Sequence, residues 1–209
     1  RRGDDTITIP ELGTCIPVRS GRAGLVAAIQ ALDLPPGARI GVPLYCCPVV
    51  FKAVTAAGCT PVFVDVGPDT FCMSPGDLSS KISQLHAVIA VHMFGNICDI
   101  PELKTVSQGK PIIEDCAQAL GSKLDGEPAG SFGDISFFSF RSGKYLSVGE
   151  GGALFSRNIE ILSRIGEIVA RMNRPGRTDE IMHVAKTAVK SVLRNRPVYG
   201  LLGYPLWSF

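Results

Sequence analysis

The sequence predicts an α/β domain built on a mainly parallel sheet with helices on both faces, followed by a helical C-terminal segment. Two observations carry that prediction. Between residues 19 and 158, short apolar runs rich in β-branched and aromatic side chains alternate with helix-like segments. Beyond residue 158 the alternation stops and longer helical stretches take over, interrupted at Arg174-Pro175-Gly176-Arg177. With 209 residues, 45% of them hydrophobic, the chain is long enough to bury a substantial core.

Taken in order, the elements begin with a helix expected at 22–32, directly after Ser20-Gly21. A strand at 39–42, a helix at 48–57 and a strand at 61–66 follow, with Gly58 reading as a helix stop. Next come a helix at 75–82, a strand at 86–92, a helix at 101–106 and a strand at 111–114. Pro75 and Pro101 then fall near a first turn, where proline is tolerated, and Gly109 reads as another stop. Strands at 135–140 and 152–156 complete the alternating part. In the final helix Ile181, Met182, Ala185, Ala188, Val189, Val192 and Leu193 share one stripe, opposite Lys186, Lys190 and Arg194.

Composition narrows the function classes. The formal net charge is +2 and no Lys/Arg block stands out, so the electrostatic footprint of a nucleic-acid binder is missing, and small molecules or protein are the expected partners. Seven cysteines show neither CxxC spacing nor an even disulfide framework, which suits a reducing compartment and a role as small core residues. No apolar run reaches the roughly 18 residues of a membrane span, and no signal-peptide pattern opens the chain, so a cytoplasmic location is expected. The basic amphipathic helix and the tail from Pro205 to Phe209 read as a domain or subunit contact in preference to a membrane surface. A start at Arg1 reads as a piece of a longer protein.

Three stretches carry chemistry. The run ISFFSFRSGKYLSVGEGG brings Ser139 to a strand end and then, across Arg141-Ser142-Gly143, presents Lys144 in a small-residue turn. A desolvated lysine amine has a lowered pKa and becomes a nucleophile suited to imine chemistry; taken alone, a solvated surface lysine is the commoner reading. The buried run Pro111-Ile112-Ile113 ends in Glu114 and Asp115, followed by Cys116-Ala117-Gln118. Ligands of open α/β sheets bind beyond the carboxyl ends of the strands, and an acid there suits the ring nitrogen of a pyridoxal cofactor. Either acid is alternatively a helix cap or an ion-pair partner. Finally, Ser20-Gly21-Arg22-Ala23-Gly24 opens the first helix with small residues whose free N–H groups favour an anion, although it is neither a Walker loop nor a dinucleotide fingerprint.

Over about residues 19–158 the sequence resembles the DegT/StrS group of sugar aminotransferases, within the aspartate-aminotransferase (type I) fold of pyridoxal-5′-phosphate (PLP) enzymes. The matching stretches are SGRAG, VPLYCCPVV, GCTPVFVDVGPDTF, AVIAVHMFGN, IIEDCAQALGS, AGSFGDISFFSF and GKYLSVGEGGALFS, in the family's order. The resemblance implies a seven-stranded-type sheet in a PLP-binding large domain at 1–158, and a helical segment at 159–209 leading toward a small C-terminal domain that is absent. It implies that Lys144 is the Schiff-base lysine and proton carrier, that Asp115 pairs with the pyridine nitrogen, and that Gln118 lies near the cofactor's 3′-oxygen or ring face. Ser139 and the Gly21-Arg22 turn match phosphate contacts, with Arg22 in place of a common threonine. Cys47 falls where better-known members stack an aromatic ring, and Tyr45 lies two positions earlier. His92 and Glu150 are left outside the site, and no metal is expected.

The reaction implied is amino transfer, from glutamate, to a keto-sugar nucleotide by a homodimer. Two rivals stand beside it. A PLP-dependent deoxysugar dehydratase is disfavoured by Lys144, since the lysine is replaced in such relatives. A truncated or degenerate homologue with a regulatory or assembly role is favoured by Cys47 and by the missing small domain.

Overall fold

The computed structural model describes residues 6–172 and 176–193. Arg174, Pro175, Arg194 and the tail from Pro205 to Phe209 lie outside the described residues, as does Arg1. The chain divides into two compact units, Arg1–Arg171 and Met172–Phe209.

The first unit opens with strands β1 (Ile7–Ile9) and β2 (Gly13–Val18), then helix α1 (Gly21–Ala31). Strand β3 (Arg39–Pro43), helix α2 (Pro48–Ala56), strand β4 (Thr60–Val64) and helix α3 (Pro75–Lys81) follow. Next come β5 (Ala87–Val91), α4 (Ile100–Ser107) and β6 (Ile112–Asp115). A small hairpin of β7 (Lys123–Leu124) and β8 (Glu127–Pro128) precedes β9 (Ile135–Ser139), β10 (Gly152–Phe155) and α5 (Ile159–Arg171). Eight strands form one sheet in the order β1-β2-β10-β9-β6-β5-β3-β4. From β4 through β9 every pairing is parallel, whereas β10 runs antiparallel to both β9 and β2. The seven strands from β4 to β2 are the sheet the sequence implied, and β1 adds an antiparallel eighth at the edge.

Every strand and helix expected between residues 22 and 156 is present within a residue or two. Four strands were not expected: β1 and β2 in the main sheet, and the hairpin pair β7 and β8. Strand β2 contains Pro17, which normally argues against a strand inside a sheet. Its place is permitted because β1 pairs only with Gly13 to Cys15, so Pro17 lies past the end of that ladder and faces β10 alone.

Helix starts follow the local chemistry. Ser20 caps α1 by accepting from the Ala23 N–H at 3.2 Å, Ser74 caps α3, and Asp99 caps α4 by accepting from the Glu102 N–H at 2.9 Å. Prolines occupy the first position of α2 and α3 and the second of α4, within the first turn where a missing N–H costs nothing. Gly58 and Gly109 follow α2 and α4 with φ of +78° each, as stops require.

Strands β5 and β6 are buried along their whole length, as expected of parallel strands covered on both faces. On one face Val88, Ala90 and Ile112 pack with Leu78 of α3 and Ile100 and Leu103 of α4. On the other, α1 packs against β9, α2 and α5, and Arg164 of α5 donates to the Ala31 carbonyl at 2.9 Å. In the second unit the described element is α6 (Arg177–Leu193), whose Ile181, Met182, Val184, Val189 and Val192 are exposed. No described helix is long and apolar enough to cross a membrane.

Candidate active site

Side chains alternate along β6, so its two terminal acids face opposite sides of the sheet. Glu114 is completely buried on the α3/α4 side. Its Oε2 accepts from His92 Nε2 at 2.9 Å and from the Gly130 N–H at 2.9 Å; its Oε1 accepts from the N–H groups of Phe132, at 2.8 Å, and Gly133. All four acceptor positions of the carboxylate are thus filled. His92, Glu114 and Cys116 bring ligand atoms within 4.8 Å of one another, the geometry of a candidate cation site. The Glu114 lone pairs and both His92 nitrogens are already engaged within the protein, which leaves the Cys116 thiol as the one uncommitted donor of the three, too few to hold a metal.

Asp115 faces the other side and is 6% exposed. One oxygen, Oδ1, accepts from the Ala117 N–H at 3.0 Å. Burial pushes its carboxyl up to about 6, against the opposing pull of the Ala117 N–H and of the Lys144 charge. Lys144 therefore lies near enough for its charge to be felt at Asp115, although 29 positions separate them in sequence.

The backbone after β9 explains how that lysine is placed. Phe140 donates to the Gly151 carbonyl at 2.9 Å, Val148 to Phe140 at 3.0 Å and Ser142 to Gly149 at 3.2 Å, so the segment folds back on itself. At its tip the Lys144 N–H donates to the Arg141 carbonyl at 3.0 Å across a four-residue turn. Gly143 occupies the third position with φ of +90°, where a type II turn calls for glycine. Lys144 is half-buried, and its backbone N–H closes this turn.

The start of α1 meets the end of β9. A Cβ added at Gly21 would lie 2.8 Å from Ser139 Cβ and 3.0 Å from its Oγ, so helix and strand touch here only because residue 21 has no side chain. The first turn of α1 and the Ser139 hydroxyl therefore lie side by side, a composition that suits an anion. Arg22 is exposed beside it.

Gln118 is half-buried, and its Nε2 approaches Met93 Sδ at 3.5 Å. Cys47 is the N-cap residue of α2, exposed and without a side-chain capping bond. Cys46, which the sequence reading did not place in the site, is partly buried: burial first, then the Asp115 and Cys47 charges, push its thiol up to about 12. Tyr45 turns toward a different group. Its ring lies 5.4 Å from Phe71 and 6.4 Å from Phe94, and Phe71 and Phe94 pack edge to face at 5.8 Å. This cluster was also missed, because Phe71 and Phe94 are held at φ of +57° and +56°, which no local pattern announces.

A model of the DegT/DnrJ/EryC1/StrS aminotransferase family matches residues 11–190. The chain is 35% identical over 159 residues to L-glutamine:2-deoxy-scyllo-inosose aminotransferase of Streptomyces fradiae, a match taking in 75% of this chain and 38% of that protein. It is 38% identical over 146 residues to UDP-N-acetyl-3-dehydro-alpha-D-glucosamine 3-aminotransferase of Acidithiobacillus ferrooxidans, covering 68% of this chain and 40% of the relative. The X-ray structure of S. venezuelae DesV in complex with a ketimine intermediate superposes with a TM-score of 0.73 at 30% identity, over 80% of this chain and 46% of that one. The chain spans about two fifths of the length of the curated relatives it matches.

Proposed function

Because the chain belongs to the DegT/DnrJ/EryC1/StrS aminotransferase family, we propose that it binds pyridoxal 5′-phosphate through Lys144 and serves amino transfer from glutamate to the keto group of a nucleotide-linked sugar. One observation carries this reading. A buried acid at the carboxyl end of a central strand, Asp115, feels the charge of a turn-mounted lysine, Lys144. The residues fit the cofactor. Oδ1 of Asp115 is held by the Ala117 N–H and leaves Oδ2 to receive a cationic ring N–H, while the Gly21–Ser139 contact gives a hydroxyl and helix-end donors for a phosphate.

When bound, PLP supplies an electrophilic carbon for the amine and an electron sink for the proton transfer. The protein's part is to hold groups and move one proton. Lys144 Nζ would be the group that holds the cofactor, and its amine would be the base that takes the proton from the donor's Cα. Asp115 stabilises positive charge on the ring nitrogen; its burial, which raises the pKa in isolation, is what makes a cation opposite it favourable. Ser139 Oγ and the N–H groups of Gly21 and Arg22 hold the phosphate, and the Arg22 guanidinium adds charge in place of a threonine hydroxyl. Gln118 and Cys47 would lie toward the ring, Cys47 at the position where relatives carry an aromatic residue.

The substrates and a homodimeric assembly belong to the proposal as well. The Streptomyces fradiae relative is named for L-glutamine and a cyclitol, the Acidithiobacillus ferrooxidans relative for a UDP-sugar. Glutamate and glutamine are therefore tested side by side as donors, against a panel of nucleotide keto-sugars and a scyllo-inosose. The cofactor reading is tested by the visible absorption of the purified protein with PLP. A band that borohydride abolishes, and that Lys144→Ala lacks, is the expected result; identical spectra for wild type and variant refute the lysine assignment. Amino transfer to the cyclitol alone would overturn the nucleotide-sugar assignment.

A further inference from the structure

We infer that His92 and Glu114, behind the sheet from Asp115, are positioning residues that clamp the end of β6 and keep the Asp115 carboxylate aimed into the cofactor site. The inference rests on the PLP reading above. Both side chains are completely buried, and neither faces the site itself.

The donors around Glu114 come from two directions. His92 follows β5, and Gly130, Phe132 and Gly133 belong to the loop that enters β9. One carboxylate thus joins the strands on either side of β6, and β9 is the strand that delivers Ser139 and the Lys144 turn. The loop is shaped around it: a Cβ at Gly130 would lie 2.6 Å from Phe138 Cζ, and one at Gly133 would lie 2.8 Å from the Ile112 carbonyl and 3.0 Å from Glu114 Cγ.

The proton on His92 can be placed. The Cys98 N–H donates to Nδ1 at 3.1 Å, so Nδ1 holds the lone pair and Nε2 carries the hydrogen that Glu114 accepts. The main-chain N–H of the same histidine donates to the Asp115 carbonyl at 3.1 Å. His92 is thus tied to Glu114 through its ring and to Asp115 through its backbone. Burying an anion is a poor way to gain stability, since a well-packed apolar side chain serves as well or better. Four donors spent on one carboxylate make sense as a device that fixes geometry.

Two substitutions separate positioning from stability. His92→Asn sets an amide oxygen near the Nδ1 position, retaining the Cys98 bond and losing the donor to Glu114. His92→Gln sets an amide nitrogen near the Nε2 position, retaining the donor and losing the Cys98 bond. Each loses one buried hydrogen bond, so the thermal midpoint of the cofactor-free protein falls comparably in both. In PLP titrations of the 209-residue protein, His92→Asn weakens binding by about tenfold and moves the pH at which the visible band titrates by about one unit, while His92→Gln stays within about twofold of wild type. Equal losses of affinity in both variants, in step with stability and with no change in the pH of the band, overturn the positioning role and leave the PLP reading standing. A wild type that shows no band overturns that reading and this role with it. If His92→Asn does not fold, Glu114→Gln, nearly identical in size, is read by the same criteria.

Discussion

Asp115 is where function and stability pull apart most clearly. Its folded-state pKa of about 6 lies above the ordinary 3.8, so the folded cofactor-free protein binds the proton more tightly than the unfolded chain does. Stability from this group is fully present below about pH 4 and is lost as the pH rises through 6. Asp115→Asn retains an oxygen for the Ala117 N–H and has no charge to bury. The variant is therefore expected to be more stable than wild type at pH 7 by on the order of 3 kcal/mol, with the difference gone at pH 4, while PLP binding is lost. Urea unfolding at the two pH values measures this; an equal difference at both would contradict the assignment. The thiols give a second residue-scale prediction. Iodoacetamide at pH 8 should label exposed Cys47 before Cys46, whose thiol is pushed up to about 12, and reach buried Cys15, Cys98 and Cys116 only on unfolding. Fragment mass spectrometry distinguishes the neighbouring pair.

Among the elements, α1 and α4 show how termini are set by different demands. At Gly21 the contact with Ser139 outweighs helix propensity: alanine is the better helix former by about 1 kcal/mol, yet its Cβ would sit 2.8 Å from Ser139 Cβ. Gly21→Ala is expected to destabilise by about 1–3 kcal/mol, and Ser139→Gly in the same chain should recover most of the loss. Additive effects in that double-mutant cycle, read from thermal midpoints, would mean the two elements do not meet as described. Helix α4 ends with Gln108 in the left-handed region at φ of +54°, a place no function occupies. Gln108→Gly is expected to raise stability by up to about 1 kcal/mol, and a loss of stability would argue against that backbone conformation.

At the scale of the whole first unit, stability is graded from the centre of the sheet to the loops at its carboxyl end. Strands β5 and β6 are buried throughout, while most of residues 141–151 are exposed and held by a few turn hydrogen bonds. Amide exchange should be slowest in β5 and β6, reporting global unfolding, and fast in 141–151. Added PLP should protect the Lys144 turn in particular, because the lysine becomes tied to a ligand held by Asp115 and Ser139. Protection that rises uniformly over the chain, or not at all near Lys144, would show that the loop is not part of the site.

The sequence by itself determined the alternation of strands and helices from residue 22 to 156 and the buried central strands, because burial periodicity is a local signal, and it offered Lys144 and the two β6 acids as candidates without joining them. Family resemblance then favoured Asp115 over Glu114. Only the tertiary structure supplied the physical reason: adjacent strand residues face opposite sides, and the side that matters is the one on which α1 meets Ser139. The same holds for β2, accepted into the sheet despite Pro17 because β1 stops short of it. It holds for the clasp on Glu114, whose donors lie between 16 and 22 positions away in the chain. Contacts of that kind depend on which distant segments are brought side by side, and no spacing within one segment encodes them.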